Sequence, residues 1–250
     1  MKEDSVRSVD RAFSILNAFT RDDYKLTLSE ISERIDLPIT TTLRLAGTLE
    51  KLNMLCKHKD RSYSLGNQLY LLGNIAKVNF RPQQVICPYM LRIRDETKEA
   101  VSLYGVVDEY RVCFEHIESL LSMQCVMRVG DRMQLWAGAG GKALLAFLGD
   151  AVIEREIAKA YKITSNTVYD VDQLRMTLAN VRALGYAVSR GDREEGIFSI
   201  AVPIFNRSGG IEFSLSIAGP AQRFTEERGY MLIPSLQKMC REIAVQLGDG

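Results

Sequence analysis

The sequence predicts an α+β protein in two parts: an N-terminal winged helix-turn-helix over residues 1–66 and a mixed helix–strand domain over residues 83–250, joined by a linker helix across 67–82. Three observations carry this prediction. Apolar residues recur at helical spacing in three segments before residue 52, with a proline break ahead of the third. A two-run hairpin pattern follows directly. From residue 83 onward helical and strand patterns are interleaved, with no internal repeat and no low-complexity tract. The chain has 250 residues, 46% of them hydrophobic and 25% charged, an ordinary globular composition.

Ser8 is placed to cap a first helix whose buried side is Val9, Ala12, Phe13, Leu16 and Phe19. "TLSE", with Thr27 and Glu30, forms a capping box ahead of Leu28, Ile31 and Ile35. "DLP" breaks the chain and sets Pro38 in the first turn of a third helix, with Leu45, Ala46, Leu49 and Leu52 as its buried stripe. "MLCKHKD" and "RSYSLG" flank Lys59-Asp60 as a β-hairpin. In the second part a helix spans about 83–98. "AVSLYGVV" and "RVCFEHI" are strands about the turn Asp108-Glu109, and "SMQCVMRV" is a further strand. "YAVSR", "FSIAVPIF" and "IEFSLSIAG" are strands, the last two joined by the turn-rich "NRSGG". A final helix begins near Thr225 and buries Leu232, Leu236, Met239, Ile243 and Leu247; Pro234 should kink it or delay its start.

Several function classes drop out at this level. The apolar run Ala143 to Leu148 is far too short to span a membrane, and "MKEDSVRSVDR" lacks the apolar core of a signal peptide, which makes the expected location cytoplasmic. Cys56, Cys87, Cys113, Cys125 and Cys240 are scattered without a C-x-x-C pair, and His58 and His116 are the only histidines, so no metal site is expected. "FEHIES" alternates its carboxylates and imidazole between strand faces and reads as a solvated face. Glu194 and Glu195 stand side by side but have no nucleophile, base or metal ligand near them in sequence, and no catalytic residue is assigned.

The third helix has the chemistry of a groove reader. Opposite its leucines lie Thr40, Leu43, Arg44, Gly47 and Lys51, with Thr41 flanking near the N-terminal end. Short hydroxyls, a glycine and two cations suit a surface pressed against double-stranded DNA; Arg44 can reach a guanine edge or a phosphate, Lys51 a phosphate. Lys59 and Arg61 on the wing would touch backbone or minor groove. Residues 38–66 carry Arg44, Lys51, Lys57, Lys59 and Arg61 against Glu50 and Asp60, a local charge of +3 in a chain whose net charge is +1. A helical protein-interaction module is the competing reading, and salt-insensitive association would mark it.

"WAGAGGKALLAFL", Trp136 to Leu148, invites a phosphate-binding reading that its spacing does not support. A P-loop would need glycine where Trp136 stands and Ser or Thr where Ala143 stands. A dinucleotide fingerprint would need a buried strand before it, which "DRMQLW" is not, and a strand after it, where a helix pattern stands. No nucleotide cofactor is therefore expected. What remains is a helix opening without bulk at Ala139, Gly140 and Gly141. A small ligand could approach that backbone, and free N–H groups there favour an anion.

In its order of motifs the chain resembles the IclR family of bacterial transcription regulators along almost its whole length. The matching stretches are "SVDRAFSIL", "LTLSEISERIDLP", "TTTLRLAGTLEKLNML" and "RSYSLG", then "RVGDRMQLWAGAGGKALLAFL", "ITSNTVYD", "VRALGYAVSR", "EEGIFSIAVPIF" and "LSIAGPAQRFTEER". The resemblance implies a winged-helix DNA-binding domain and a linker helix leading to a GAF-like α/β domain that binds a small effector. It also implies a homodimer or tetramer acting as a repressor or activator. It places effector contacts at Ala139 and Gly140, with Cys125, Met133 and Leu135 as apolar wall and Ser189, Ser199, Ser216 and Ala218 as further contacts. The chain departs from the family at four positions: Ser189 for an acid, Ser199 for cysteine, Ala218 for serine and Trp136 for histidine. Together these suggest an organic acid, larger than two or three carbons and aromatic, with Trp136 itself assigned to core or interface. The resulting expectation is a ligand-responsive repressor of its operator DNA; the alternative is an α/β enzyme with an accessory helical domain.

Overall fold

The computed structural model describes residues 6–78, 80–122 and 127–248. The chain divides into two compact units, Met1–Phe80 and Arg81–Gly250.

The first unit holds α1 (Arg7–Asn17), β1 (Leu26–Thr27), α2 (Leu28–Arg34), α3 (Ile39–Lys51), β2 (Leu55–Lys57), β3 (Ser62–Leu65) and α4 (Asn67–Val78). The capping box of α2 is formed as the sequence requires: Thr27 Oγ1 accepts from Glu30 N at 3.3 Å, and Glu30 Oε2 accepts from Thr27 N at 2.6 Å. Two details of α1 differ from expectation. Its N-cap is Val6, with no side-chain cap, so Ser8 lies inside the first turn. Its inner face is Ile15 and Phe19 with Ala12 and Leu16, while Val9 and Phe13 are exposed. In α3 the cap is Pro38, and Thr42 is buried in place of Leu52, whose side chain points to solvent one residue past the helix end. Thr42 tolerates burial because its hydroxyl donates to Pro38 O at 3.2 Å. The hairpin β2–β3 forms with Leu55 opposite Leu65, and β1 adds a third strand through Leu26 opposite Tyr63, which the sequence pattern does not show. α4 begins at a tight joint. Gly66 N donates to Met54 O and Gln68 N to Asn53 O, and a Cβ on Gly66 would overlap the Asn53 carbonyl.

The second unit is a six-stranded antiparallel sheet in the order β6-β5-β4-β9-β8-β7, built from β4 (Ala100–Val107), β5 (Tyr110–Ile117), β6 (Arg132–Met133), β7 (Ala187–Arg190), β8 (Ile197–Phe205) and β9 (Ile211–Pro220). α5 (Arg81–Thr97) and α9 (Glu226–Gly248) pack together over one face; α6 (Ala139–Leu145), α7 (Asp150–Ile157) and α8 (Val171–Leu184) lie over the other. Strand alternation assigns Val101, Leu103, Phe198, Ile200, Leu215 and Ile217 to the α5/α9 side and Ser102, Tyr104, Ser199, Ala201, Ser214 and Ser216 to the α6 side. Trp136, Leu144, Leu145, Ile157, Leu174 and Leu178 fill the α6–α8 core. α8, which the sequence reading leaves unassigned, starts at Asp170, whose carboxylate accepts from Gln173 N at 2.9 Å. Pro234 sits inside α9 without delaying its start. The expected strand at "SMQCVMRV" falls on residues 123–126, outside the described residues; its described flanks are irregular.

Candidate DNA-reading helix and ligand pocket

On α3 the side chains of Thr40, Leu43, Arg44 and Lys51 are exposed and Thr41 is half-buried, on the side away from buried Thr42, Ala46 and Leu49. At the wing tip Lys59 and Arg61 are exposed. Asp60 is exposed but bonded back into the turn: its Oδ1 accepts from Ser62 N at 3.0 Å and Ser62 Oγ at 2.6 Å, and these bonds hold its pKa below the ordinary value. The tip thus presents its cations while its one carboxylate is tied into the turn. The six residues predicted to meet DNA lie on two exposed surfaces of one small unit.

The pocket lies on the α6 side of the sheet. Ala139 and Gly140 from α6 line it, with Ser189 (β7), Ser199 (β8), Ser216 and Ala218 (β9) across the sheet. Strand register brings the latter together: Ser189 opposes Ser199, and Ser199 opposes Ala218. Ser216 Oγ donates to Ile200 O at 3.0 Å, and Ser214 Oγ to Gly140 O at 2.9 Å, which ties β9 to the start of α6. Met133 and Leu135 are buried but sit one layer behind the lining; Cys125 lies outside the described residues. Met133 acts at one remove, its Sδ accepting from Arg111 Nη2 at 3.0 Å.

Several lining residues escaped sequence reasoning. Arg111 enters from β5 with only 3% exposure, its guanidinium 4.6 Å from the Tyr104 ring. Tyr104, Met127, Gly138, Gly191, Arg193, Glu194 and Ile197 also line the pocket. The available signal was an inward-facing cation in the strand "RVCFEHI", visible only once the strand's face was known. The lining holds two cations, Arg111 and Arg193, against the single carboxylate of Glu194. Glu195 turns away, accepting from Ser165 N and Oγ at 3.2 and 2.9 Å, which lowers its pKa; the two neighbouring carboxylates do not form a pair. The cavity volume is about 40 Å³, room for roughly three waters.

"FEHIES" is less solvated than its alternation suggests. Glu115 accepts from Gln83 Nε2 at 2.6 Å, and His116 Nδ1 pairs with Ser102 Oγ at 2.9 Å. Trp136 is core, 2% exposed and edge-on to Tyr161 at 5.1 Å. Among the described residues no group of His, Cys, Asp and Glu could hold a metal ion, and no helix is long and apolar enough to cross a membrane.

A winged helix-turn-helix with an exposed cationic reading face, carried on the same chain as a domain with a small polar pocket, defines a DNA-binding regulator with a ligand site. Comparison with known proteins gives the family. The description "Bacterial transcriptional regulator IclR C-terminal" matches residues 79–245 and "IclR helix-turn-helix domain" matches residues 8–57. The HTH-type transcriptional regulator KdgR of Escherichia coli K12 is 31% identical over 249 residues, covering 98% of this chain and 94% of that one. An IclR transcriptional regulator of Silicibacter sp. TM1040 shares the fold with a TM-score of 0.89 at 23% identity, over 97% of each chain. An IclR homologue from Microbacterium hydrocarbonoxydans, solved in complex with 4-hydroxybenzoate, is 28% identical with a TM-score of 0.75, over 95% of this chain and 96% of that one. The chain belongs to the IclR family of bacterial transcription regulators.

Proposed function

We propose that this regulator is a cytoplasmic homodimer, or a pair of dimers, that represses transcription from a near-palindromic operator and responds to a small organic acid bound beside Arg111. Thr40, Thr41, Arg44 and Lys51 meet the major groove, with Lys59 and Arg61 on the flanking backbone. The observation that carries the ligand assignment is the buried Arg111 guanidinium in the pocket wall, held over the Tyr104 ring and bonded to the Met133 sulfur. A carboxylate would suit such a guanidinium, with Ser189 and Ser199 offering hydroxyls. The 4-hydroxybenzoate complex of the Microbacterium relative supports an aromatic acid.

Exposed apolar side chains in the first unit support dimerisation. Val9 and Phe13 share one face of α1, and Leu71, Ile75 and Val78 one face of α4. The test is an electrophoretic mobility shift on DNA upstream of the gene, with and without a panel of carboxylic acids. The bound band should shift with one of the acids, and Arg44→Ala should weaken binding by about 1–3 kcal/mol. Full operator affinity in Arg44→Ala removes α3 from the interface. Failure of every acid to change binding or melting removes the organic-acid assignment.

A further inference from the structure

Two elements that line the pocket are the start of α6 and the loop between β7 and β8, which contributes Gly191, Arg193 and Glu194. This loop is a strap bounded by Gly191 and Gly196, with φ of +79° and +76°, a conformation glycine adopts without strain. Asp192 gathers its ties. The Asp192 carbonyl accepts from Thr167 Oγ1 at 2.6 Å and Thr164 Oγ1 at 3.3 Å, and its carboxylate accepts from Arg190 N at 3.3 Å and from Lys142 Nζ. Lys142 belongs to α6, one turn beyond the backbone that lines the pocket. The two residues are 3% and 5% exposed.

A buried ion pair is a weak stabiliser, because desolvation offsets much of the attraction, but it holds two elements in a fixed register. Here both elements line the pocket, so the reach of these side chains fixes how far apart they stand. The enclosed volume is about 40 Å³, so a ligand as large as an aromatic acid enters only as the strap gives way. A second cavity of about 310 Å³ is also bordered by both ends of the strap, Gly191 and Gly196. We propose that Lys142 and Asp192 are a positioning pair that holds the Gly191–Gly196 strap against α6 and thereby limits the size of ligand the pocket admits. Only the ligand part of this inference rests on the organic-acid assignment above.

The test compares the full-length wild type with Lys142→Met and with the double variant Lys142→Met/Asp192→Leu, which leaves no lone charge buried if the single variant fails to fold. Amide hydrogen exchange without ligand should accelerate at least about tenfold at residues 190–197 while β9 and α9 peptides keep their rates. The affinity for 4-hydroxybenzoate relative to pyruvate should rise by a similar factor. Unchanged exchange at 190–197, or equal acceleration throughout the domain, overturns the pairing, as does a fixed ratio of the two affinities. If the wild type binds neither acid, the organic-acid assignment falls and the exchange rates alone decide the role of the pair.

Discussion

Gly140→Ala probes how closely the pocket wall is packed. A Cβ on Gly140 would stand 2.5 Å from Tyr104 Cδ2, 2.8 Å from Tyr104 Cε2 and 3.3 Å from Arg111 Nη1. Ordinary carbon–carbon contact is about 3.5–4.0 Å, so the ring must retreat by about 1 Å. It has little freedom to do so, since Tyr104 is 5% exposed and carries Arg111 on its face. Overpacking of this kind costs about 1–3 kcal/mol. Alanine's better helix propensity returns about 1 kcal/mol, leaving a net loss of up to about 2 kcal/mol. For a unit of this size that lowers Tm by up to about 8 °C. The new methyl also takes space in the pocket, so stabilisation by 4-hydroxybenzoate should vanish while operator binding persists. Gly73→Ala in α4 is the control of opposite sign: nothing lies within 4 Å of its added Cβ, and it should stabilise the first unit by up to about 1 kcal/mol. Differential scanning calorimetry with and without ligand reads both variants. A Gly140→Ala protein with wild-type Tm and an undiminished ligand shift would refute the packing reasoning.

Three further outcomes follow from the second unit. Glu99 is fully buried and accepts from Arg223 Nε and Nη2 at 2.8 and 3.0 Å, so Arg223→Met should cost about 3 kcal/mol in urea unfolding, the low end because Arg223 is partly exposed; a loss under 1 kcal/mol contradicts it. Burial holds the His116 imidazole below its ordinary pKa, against the pull of Glu118, Asp131 and Glu115. As pH falls through about 6.5 the unfolded chain is protonated first and stability declines, an effect absent above that pH. His116→Gln should therefore flatten the stability profile between about pH 7 and 5, and equal slopes in the two proteins would exclude the assignment. Burial pushes the Cys113 thiol up to about 12 and raises that of Cys240 as well, whereas Cys56 is exposed. Iodoacetamide at pH 8 should label Cys56 before Cys113 and Cys240, and peptide mass spectrometry showing Cys113 labelled equally fast would disprove the burial argument.

The DNA-reading unit was legible because its signals are local. Thr27 and Glu30 bond each other three residues apart, and Pro38 breaks the chain where α3 begins. Periodicity identifies a helix but does not rank its apolar residues: Phe13 and Ile15 are both apolar, and only tertiary packing decides that Ile15 goes inside. The pocket was half legible. The serines came from the family resemblance, and strand register then set them side by side. Arg111 and Tyr104 were invisible because their meeting depends on the pairing of β4 with β5, which shifts between Leu103 and Tyr104, and on an α6 that is distant in sequence. Met133 and Leu135 are apolar as the pattern says, but no periodicity distinguishes the lining of a cavity from the layer beneath it.

The joint at Gly66 gives the first unit a mechanical property. With Asn53 and Met54, just past the end of α3, accepting from Gln68 N and Gly66 N at the start of α4, little slack separates α3 from the helix that follows the wing. α4 is in effect a rigid handle: a torque applied to it reorients α3 with no intermediate hinge to absorb the motion. Lengthening that joint by a single residue would leave both helices intact and disconnect one from the other.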